Sequence, residues 1–368
     1  MCMPAGPTQE EILQALGPFD RVRLNNHWIP ISYLRAFTTD GSETGVFWMY
    51  DRTRADGPKE IAPRVAAVEN QLYVFESDDA TEPRDLVERL LARFIEAPYR
   101  SISWKLVHGP DVGVQAHLLP DEHFSLALFL AVQYCRTPFF RDRTEWMASF
   151  HATLELRATL SNPADAQEDY RRRTGKHVTL DEIRRWRRQL DSGDLQVRPG
   201  KGLWLASFLK GAMEIAPFIR TLPWRVVRAP DGIEFPVSDL PLVLALRAPG
   251  EPRYALGAGW ANSDTEATIP LHPNAVMVLG PNVETDGFIG TPAWCESVRT
   301  RHVHHSRRFI FARTRDDAIS KVLRSTEPPS TVVDTGKEQF PMAGPVGPVV
   351  KRVMESDANI IRFGPPRD

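Results

Sequence analysis

Apolar positions recur with a helical period through the first two thirds of the chain and fall into short β-type runs after that. In HWIPISYLRAF (27–37), Ile31, Leu34 and Phe37 share one side of a helix opened by Pro30, while Arg35 points elsewhere. GVFWMYDR (45–52) predicts a strand, and VENQLYVFE (68–76) a loop into a second short strand or turn. Residues 82–106 place Leu86, Leu90, Phe94 and Ile95 on one helical stripe. The most apolar helix is EHFSLALFLAVQYC, with Phe124, Leu128, Ala131 and Cys135 at i, i+4, i+7 and i+11, and Pro138 breaks it at Thr137. A helix through Trp146, Phe150 and Leu154 follows, then a polar insertion over 162–178. Thr179 and Glu182 form a capping box that opens a helix to Leu190, and Gly193 ends it. Leu205, Phe208, Met213 and Ile215 mark another helix over 200–222.

The period changes near Trp224, where WRVVRAP, IEFPVSD, PLVLALR, ATIPLHP and AVMVLGP are short runs split by Pro and Gly. Residues 291–324 return to a helical pattern, with β-like RFIFA at 308–312 inside it. This order predicts an α+β fold, a mainly helical core with a small antiparallel sheet from the N-terminal strand and the 224–280 region. It also predicts a helical arm over 1–25, one domain over 26–325 with a basic insertion near 160–195, and a Pro-rich tail over 326–368.

Composition narrows the function classes. The chain is 42% hydrophobic and 25% charged, as expected of a protein that buries a core, and its net charge of −2 argues against a uniformly basic nucleic-acid coat. Cys2, Cys135 and Cys295 form no CxxC pair, which excludes a disulfide framework or a Cys-rich zinc ribbon and fits a reducing cytoplasm. The N-terminus lacks the basic and apolar regions of a signal peptide, and no apolar run nears the roughly 20 residues of a membrane helix, so a cytoplasmic protein is expected. No P-loop, complete GxGxxG, HExxH, GxSxG or zinc-deaminase pattern occurs, and nothing names a cofactor.

His302 and His305 share a helical face near His304, but no carboxylate stands at matching spacing and Arg301, Arg307 and Arg308 add positive charge. A solvated basic face, or one that contacts phosphate, is expected there in preference to a metal site. Two arginine tracts are candidates for nucleic-acid or nucleotide contact: Arg171, Arg172, Arg173, Arg184 and Arg185 in the first, Arg301, Arg307 and Arg308 in the second. The alternative is that acids elsewhere in the fold pair with them.

The remaining signal is polarity where burial is expected. His27 and Arg35 flank an apolar helix, Gln133 and Arg136 end the most apolar one, and Asp239 sits in a Ser-Asp-Leu-Pro turn between two apolar runs. A buried guanidinium is costly unless an anion meets it, which makes Asp239 the expected partner of Arg136 or Arg35.

HWIPISYLRAF resembles the opening signature, H-[YW]-[VI]-P-x-x-[YL]-L-R-x-F, of the bacterial domain-of-unknown-function family 4238. The resemblance continues through VFWMYD, ENQLY, QYCRTP, PVSDLPLVL and IPLHP, from about residue 26 to about 325. Carried over by position, it points to His27, Pro30, Arg35, Glu69, Asn70, Gln133, Arg136, Ser238, Asp239 and Pro241. The family often has an asparagine in its last helical region, where this chain has RTRHVHHS. The resemblance implies no reaction.

Two functions remain open. In the first, a nuclease-like hydrolase or transferase acts on a phosphodiester or nucleotide, in the manner of bacterial conflict proteins. His27, Gln133 and Asp239 are its catalytic candidates, and Arg35, Arg136, Asn70 and Ser238 contact phosphate. In the second, a non-enzymatic module binds a phosphorylated ligand, nucleic acid or protein partner. A metal-dependent variant would use His27, Glu69 and Asp239. Against all of these stands a purely structural network, which is what these residues form if they are sealed from solvent.

Overall fold

The computed structural model describes residues 25–54, 56–74, 85–109, 117–246, 259–260, 262–284, 288–326 and 362–363. The helical arm expected over 1–25 and the Pro-rich tail expected over 326–368 lie almost wholly outside the described residues. The chain is α+β. Its contacts divide into two units, residues 1–138 with 209–329 and residues 139–208 with 330–368; the stretch 160–195 lies within the second.

Unit 1 opens with β1 (Asn25–His27), from which Pro30 (φ −61°) leads into α1 (Ile31–Leu34), tightening to a 3-10 turn over Arg35–Phe37. Leu34 and Phe37 are fully buried as the spacing predicts, and Tyr33 joins them. β2 (Phe47–Asp51), β3 (Lys59–Ile61) and β4 (Val68–Asn70) follow. β4 runs antiparallel to β1 with Glu69 opposite Asn26.

The helical stretch predicted over 82–106 comprises α2 (Leu86–Leu90), α3 (Leu91–Glu96), which is π-helical, and α4 (Ala97–His108). The buried stripe is Val87, Leu91, Ile95, Tyr99, Ile102 and Leu106. It shares Ile95 with the predicted stripe but is offset already in α2, where Val87 rather than Leu86 or Leu90 is buried, and Phe94 is 41% exposed. In α5 (Pro120–Cys135), Glu122 accepts from the Leu119 backbone N–H at 3.0 Å, and the buried face runs from Leu126 to Cys135.

Unit 2 holds α6 (Pro138–Thr159), α7 (Pro163–Thr174), α8 (Leu180–Ser192) and β5 (Val197–Arg198). Asn162 caps α7, and Gly175 (φ 69°) ends it, so the stretch expected as a polar insertion is mostly helix. Thr179 and Glu182 form the predicted capping box, and Gly193 ends α8 at φ 83°, a conformation that costs glycine nothing. Leu160, Ala166, Val178, Ile183 and Leu190 make this unit's core.

α9 (Lys201–Thr221) leads the chain back to unit 1. Among the described residues it is the one helix long and apolar enough, by length and composition, to cross a membrane. The strands β6 (Trp224–Arg228), β7 (Val237–Ser238), β8 (Val243–Leu246), β9 (Thr265–His272), β10 (Ala275–Leu279) and β11 (Phe288–Ile289) follow. Then come α10 (Pro292–His305), β12 (Phe309–Ala312) and α11 (Asp317–Ser325). A short β13 (Arg362–Phe363) pairs with β5 in unit 2.

The sheet expected as one is divided. One sheet has the order β11-β6-β10-β9-β8, antiparallel except for the parallel β11–β6 pair. The N-terminal strand β2 instead joins β3-β2-β12-β7, where β12 (the β-like run inside the helical region) supplies its long-range partner.

Candidate functional site

Arg136 caps the C-terminus of α5, just before the proline that stops the helix, and is fully buried. Its Nε donates to the Trp28 carbonyl at 2.6 Å, Nη2 to the His27 carbonyl at 3.1 Å and Nη1 to Glu96 Oε1 at 3.0 Å. A guanidinium suits this position because its planar fork spans two successive carbonyls and a carboxylate at once. Burial works against its charge, but the Tyr73 oxygen and the Glu96 carboxylate together hold its pKa above the ordinary arginine value.

Gln133, one turn earlier and also fully buried, reaches the Trp28 carbonyl from Nε2 at 3.5 Å, and its Oε1 has no partner among the described residues. Tyr73 donates its hydroxyl to the His27 carbonyl at 3.3 Å and its backbone N–H to Asn26 Oδ1 at 3.2 Å. The His27 ring donates from Nε2 to the Arg64 carbonyl at 3.2 Å. Burial lowers the His27 pKa, so the ring is neutral near pH 7. Asn70, opposite Asn25 on β4, is exposed. His27, Gln133 and Arg136 thus meet, but largely through the backbone carbonyls of His27 and Trp28.

Asp239 does not join them. Buried beside β7, it accepts the backbone N–H groups of Arg307 (2.9 Å), Arg308 (2.7 Å) and Phe309 (3.0 Å), and its own N–H returns to the Phe309 carbonyl at 2.9 Å. Burial raises its pKa despite those three donors. The Arg136–Asp239 or Arg35–Asp239 pair expected from sequence is therefore replaced: consecutive amides at the α10–β12 turn satisfy the carboxylate, and Glu96 satisfies Arg136. The buried Ser238 hydroxyl bonds to Leu240, two residues on.

The histidine cluster also departs from expectation. His302 is not on a solvated face but fully buried, its Nε2 3.1 Å from Thr268 Oγ1. Burial depresses its pKa strongly and pushes that of His305 down to about 4. Arg301 pairs with Glu266 at 2.7 Å, and Arg308 pairs with Asp51 at 2.9 Å. In unit 2, Arg171 pairs with Glu168, Arg172 and Arg173 with Asp169, Arg184 with Asp181 and Arg185 with Glu182. Among the described residues no group of three or more His, Cys, Asp and Glu side chains is arranged to hold a metal.

Arg35 has a different setting. It lines a cleft of about 240 Å³ within unit 1, formed by α1 and its 3-10 turn, by α4 and by the end of β9. Helix α4 presents two adjacent i, i+4 rows to it, Tyr99–Ser103–Val107 and Arg100–Trp104–His108. Leu271 and His272 close it from β9, and none of its described lining residues carries a carboxylate. Arg35 is half-buried, with no ion pair and no side-chain hydrogen bond among the described residues. Arg100 pairs with Glu43 at 3.0 Å.

Ser32 and Tyr99 line the cleft, and their hydroxyl oxygens are buried with no hydrogen-bond partner among the described residues. Burial raises the Tyr99 pKa, so its hydroxyl stays a neutral donor. The Tyr99 ring lies flat on Phe129, with centroids 3.6 Å apart. His272 Nε2 accepts from Arg313 at 2.8 Å, and its Nδ1–H donates to Asn274 Oδ1 at 2.6 Å. Burial pushes the His272 pKa down to about 4, so the ring is neutral.

Sequence reasoning selected Arg35 but missed Ser32, Tyr99, Trp104, His108 and His272. The usable signal was the polar and aromatic pair of i, i+4 rows on a helix whose other face is apolar. No curated protein and no solved structure matches the chain. The family described as Protein of unknown function (DUF4238) matches residues 25–316, from β1 to the approach to α11 and across the Arg136 network, the Asp239 turn and the Arg35 cleft. The chain belongs to that family.

Proposed function

We propose that this protein is a ligand-binding module that holds a small phosphate-bearing molecule in the Arg35 cleft. One observation carries the reading: Arg35, which has no carboxylate partner among the described residues, lines a cleft with no carboxylate among its described lining residues. Phosphate suits this setting because its oxygens accept two hydrogen bonds from one guanidinium fork.

Hydrolase or transferase chemistry would need His27, Gln133 and Asp239 around one substrate. Asp239 is taken up by three backbone amides, and the His27 ring by a backbone carbonyl, so the geometry supports binding better than turnover. The buried thiols Cys135 and Cys295, both free, support a reducing, cytoplasmic setting.

Calorimetry with inorganic pyrophosphate and small phosphate esters tests the reading. Binding is expected in the wild type and about 10- to 100-fold weaker in Arg35→Ala, the range of a lost charge-assisted hydrogen-bond set. Arg35→Lys keeps the charge but not the fork and falls between them. Absence of heat in the wild type, or equal affinity in Arg35→Ala, refutes it.

A further inference from the structure

We infer that the ligand of the Arg35 cleft is a mononucleotide whose base lies against Trp104. This rests on the reading of the cleft as a phosphate site and adds the identity of the group attached to the phosphate. Trp104 lines the cleft yet is 64% exposed. An indole this open contributes little to a core, and beside an anion site it offers a flat apolar face to a planar ring.

His108 flanks the indole, tilted 45° to it. The Trp104 and His108 rings have centroids 5.6 Å apart, and His108 meets His272 edge-on at 6.2 Å. The ring nitrogens of His108 have no hydrogen-bond partner among the described residues, so they can meet the polar edge of a base. A purely hydrocarbon ring would leave them unused. The cavity, about 240 Å³, is slightly below the ~300–1,000 Å³ of drug-sized pockets. It suits a phosphate and sugar inside the cleft with the base at the mouth.

The test compares adenosine 5′-monophosphate, ribose 5-phosphate and adenosine by calorimetry on the full chain. In the wild type the nucleotide is expected to bind about 5- to 100-fold more tightly than ribose 5-phosphate, the range that stacking one base on an aromatic ring supports. Trp104→Ala should bring that ratio close to one, and Trp104→Phe should retain most of it. Circular dichroism melts confirm that both variants fold, as the exposure of Trp104 predicts. A wild-type ratio near one, or a ratio unchanged by Trp104→Ala, overturns the nucleotide assignment while leaving the phosphate site standing. If neither phosphate compound binds, or Arg35→Ala binds both as well as the wild type, the phosphate site itself falls and the nucleotide assignment with it.

Discussion

Replacing Arg136 with methionine keeps most of the side-chain volume and removes the three hydrogen bonds its guanidinium makes between α5, α3 and the turn after β1. Three acceptors lose their donor. The Trp28 carbonyl is left with only the long 3.5 Å contact from Gln133, which makes it close to an orphaned buried acceptor at about 1–3 kcal/mol. The His27 carbonyl retains the Tyr73 hydroxyl and loses less. The Glu96 side chain is 22% exposed and partly rehydrates, which lowers the cost of stranding its charge. Together these place the loss at about 3–5 kcal/mol, the range found when one partner of a buried ion pair is removed. Urea unfolding measures it, and hydrogen exchange locates it: the Trp28 amide, bonded to the Ala67 carbonyl, should lose protection. Gln133→Leu is the contrast, since its one contact is long and its Oε1 already lacks a partner, and it should cost under about 1 kcal/mol. An Arg136→Met loss below about 1 kcal/mol, or a Gln133→Leu loss equal to it, would show that the knot does not hold the signature turn.

Asp239→Ala strands three backbone amides and should destabilise unit 1 by about 3 kcal/mol or more; a change under 1 kcal/mol in urea unfolding would dismiss the clamp. His272 and His305 have folded pKa values near 4, below the unfolded value of about 6.5, so the unfolded chain binds more protons between those limits. Their contribution to stability is therefore present above pH 6.5 and lost as pH falls toward 4. Thermal melts across that window should show a decline that His272→Gln with His305→Gln makes shallower, and a parallel decline in the double variant would count against this origin. Arg171→Ala with Arg172→Ala should change retention on an immobilised polyanion by less than about threefold, because Glu168 and Asp169 already compensate these arginines. A tenfold loss with a steep salt dependence would show instead that a polyanion displaces those acids.

Local physics was legible in the sequence. Pro138 at the end of α5, the Thr179–Glu182 box and Gly193 act over four or five residues, so the letters alone predict them, whereas of the predicted α5 stripe Ala131 and Cys135 are buried but Phe124 is exposed. The polar residues of HWIPISYLRAF and QYCR likewise announced that Arg136 must meet a partner. Which partner was a tertiary matter. Glu96 lies 40 residues away at the end of a π turn that no local pattern marked, and Asp239 meets amides nearly 70 residues further on. The β2–β12 pairing that divided the sheet spans some 260 residues, and the Arg35 cleft draws on segments near 35, 104 and 272. Periodicity fixes which face of an element is apolar, but a buried charge is satisfied by whichever donor or acceptor the packed chain brings within 3 Å, and only the folded arrangement decides that.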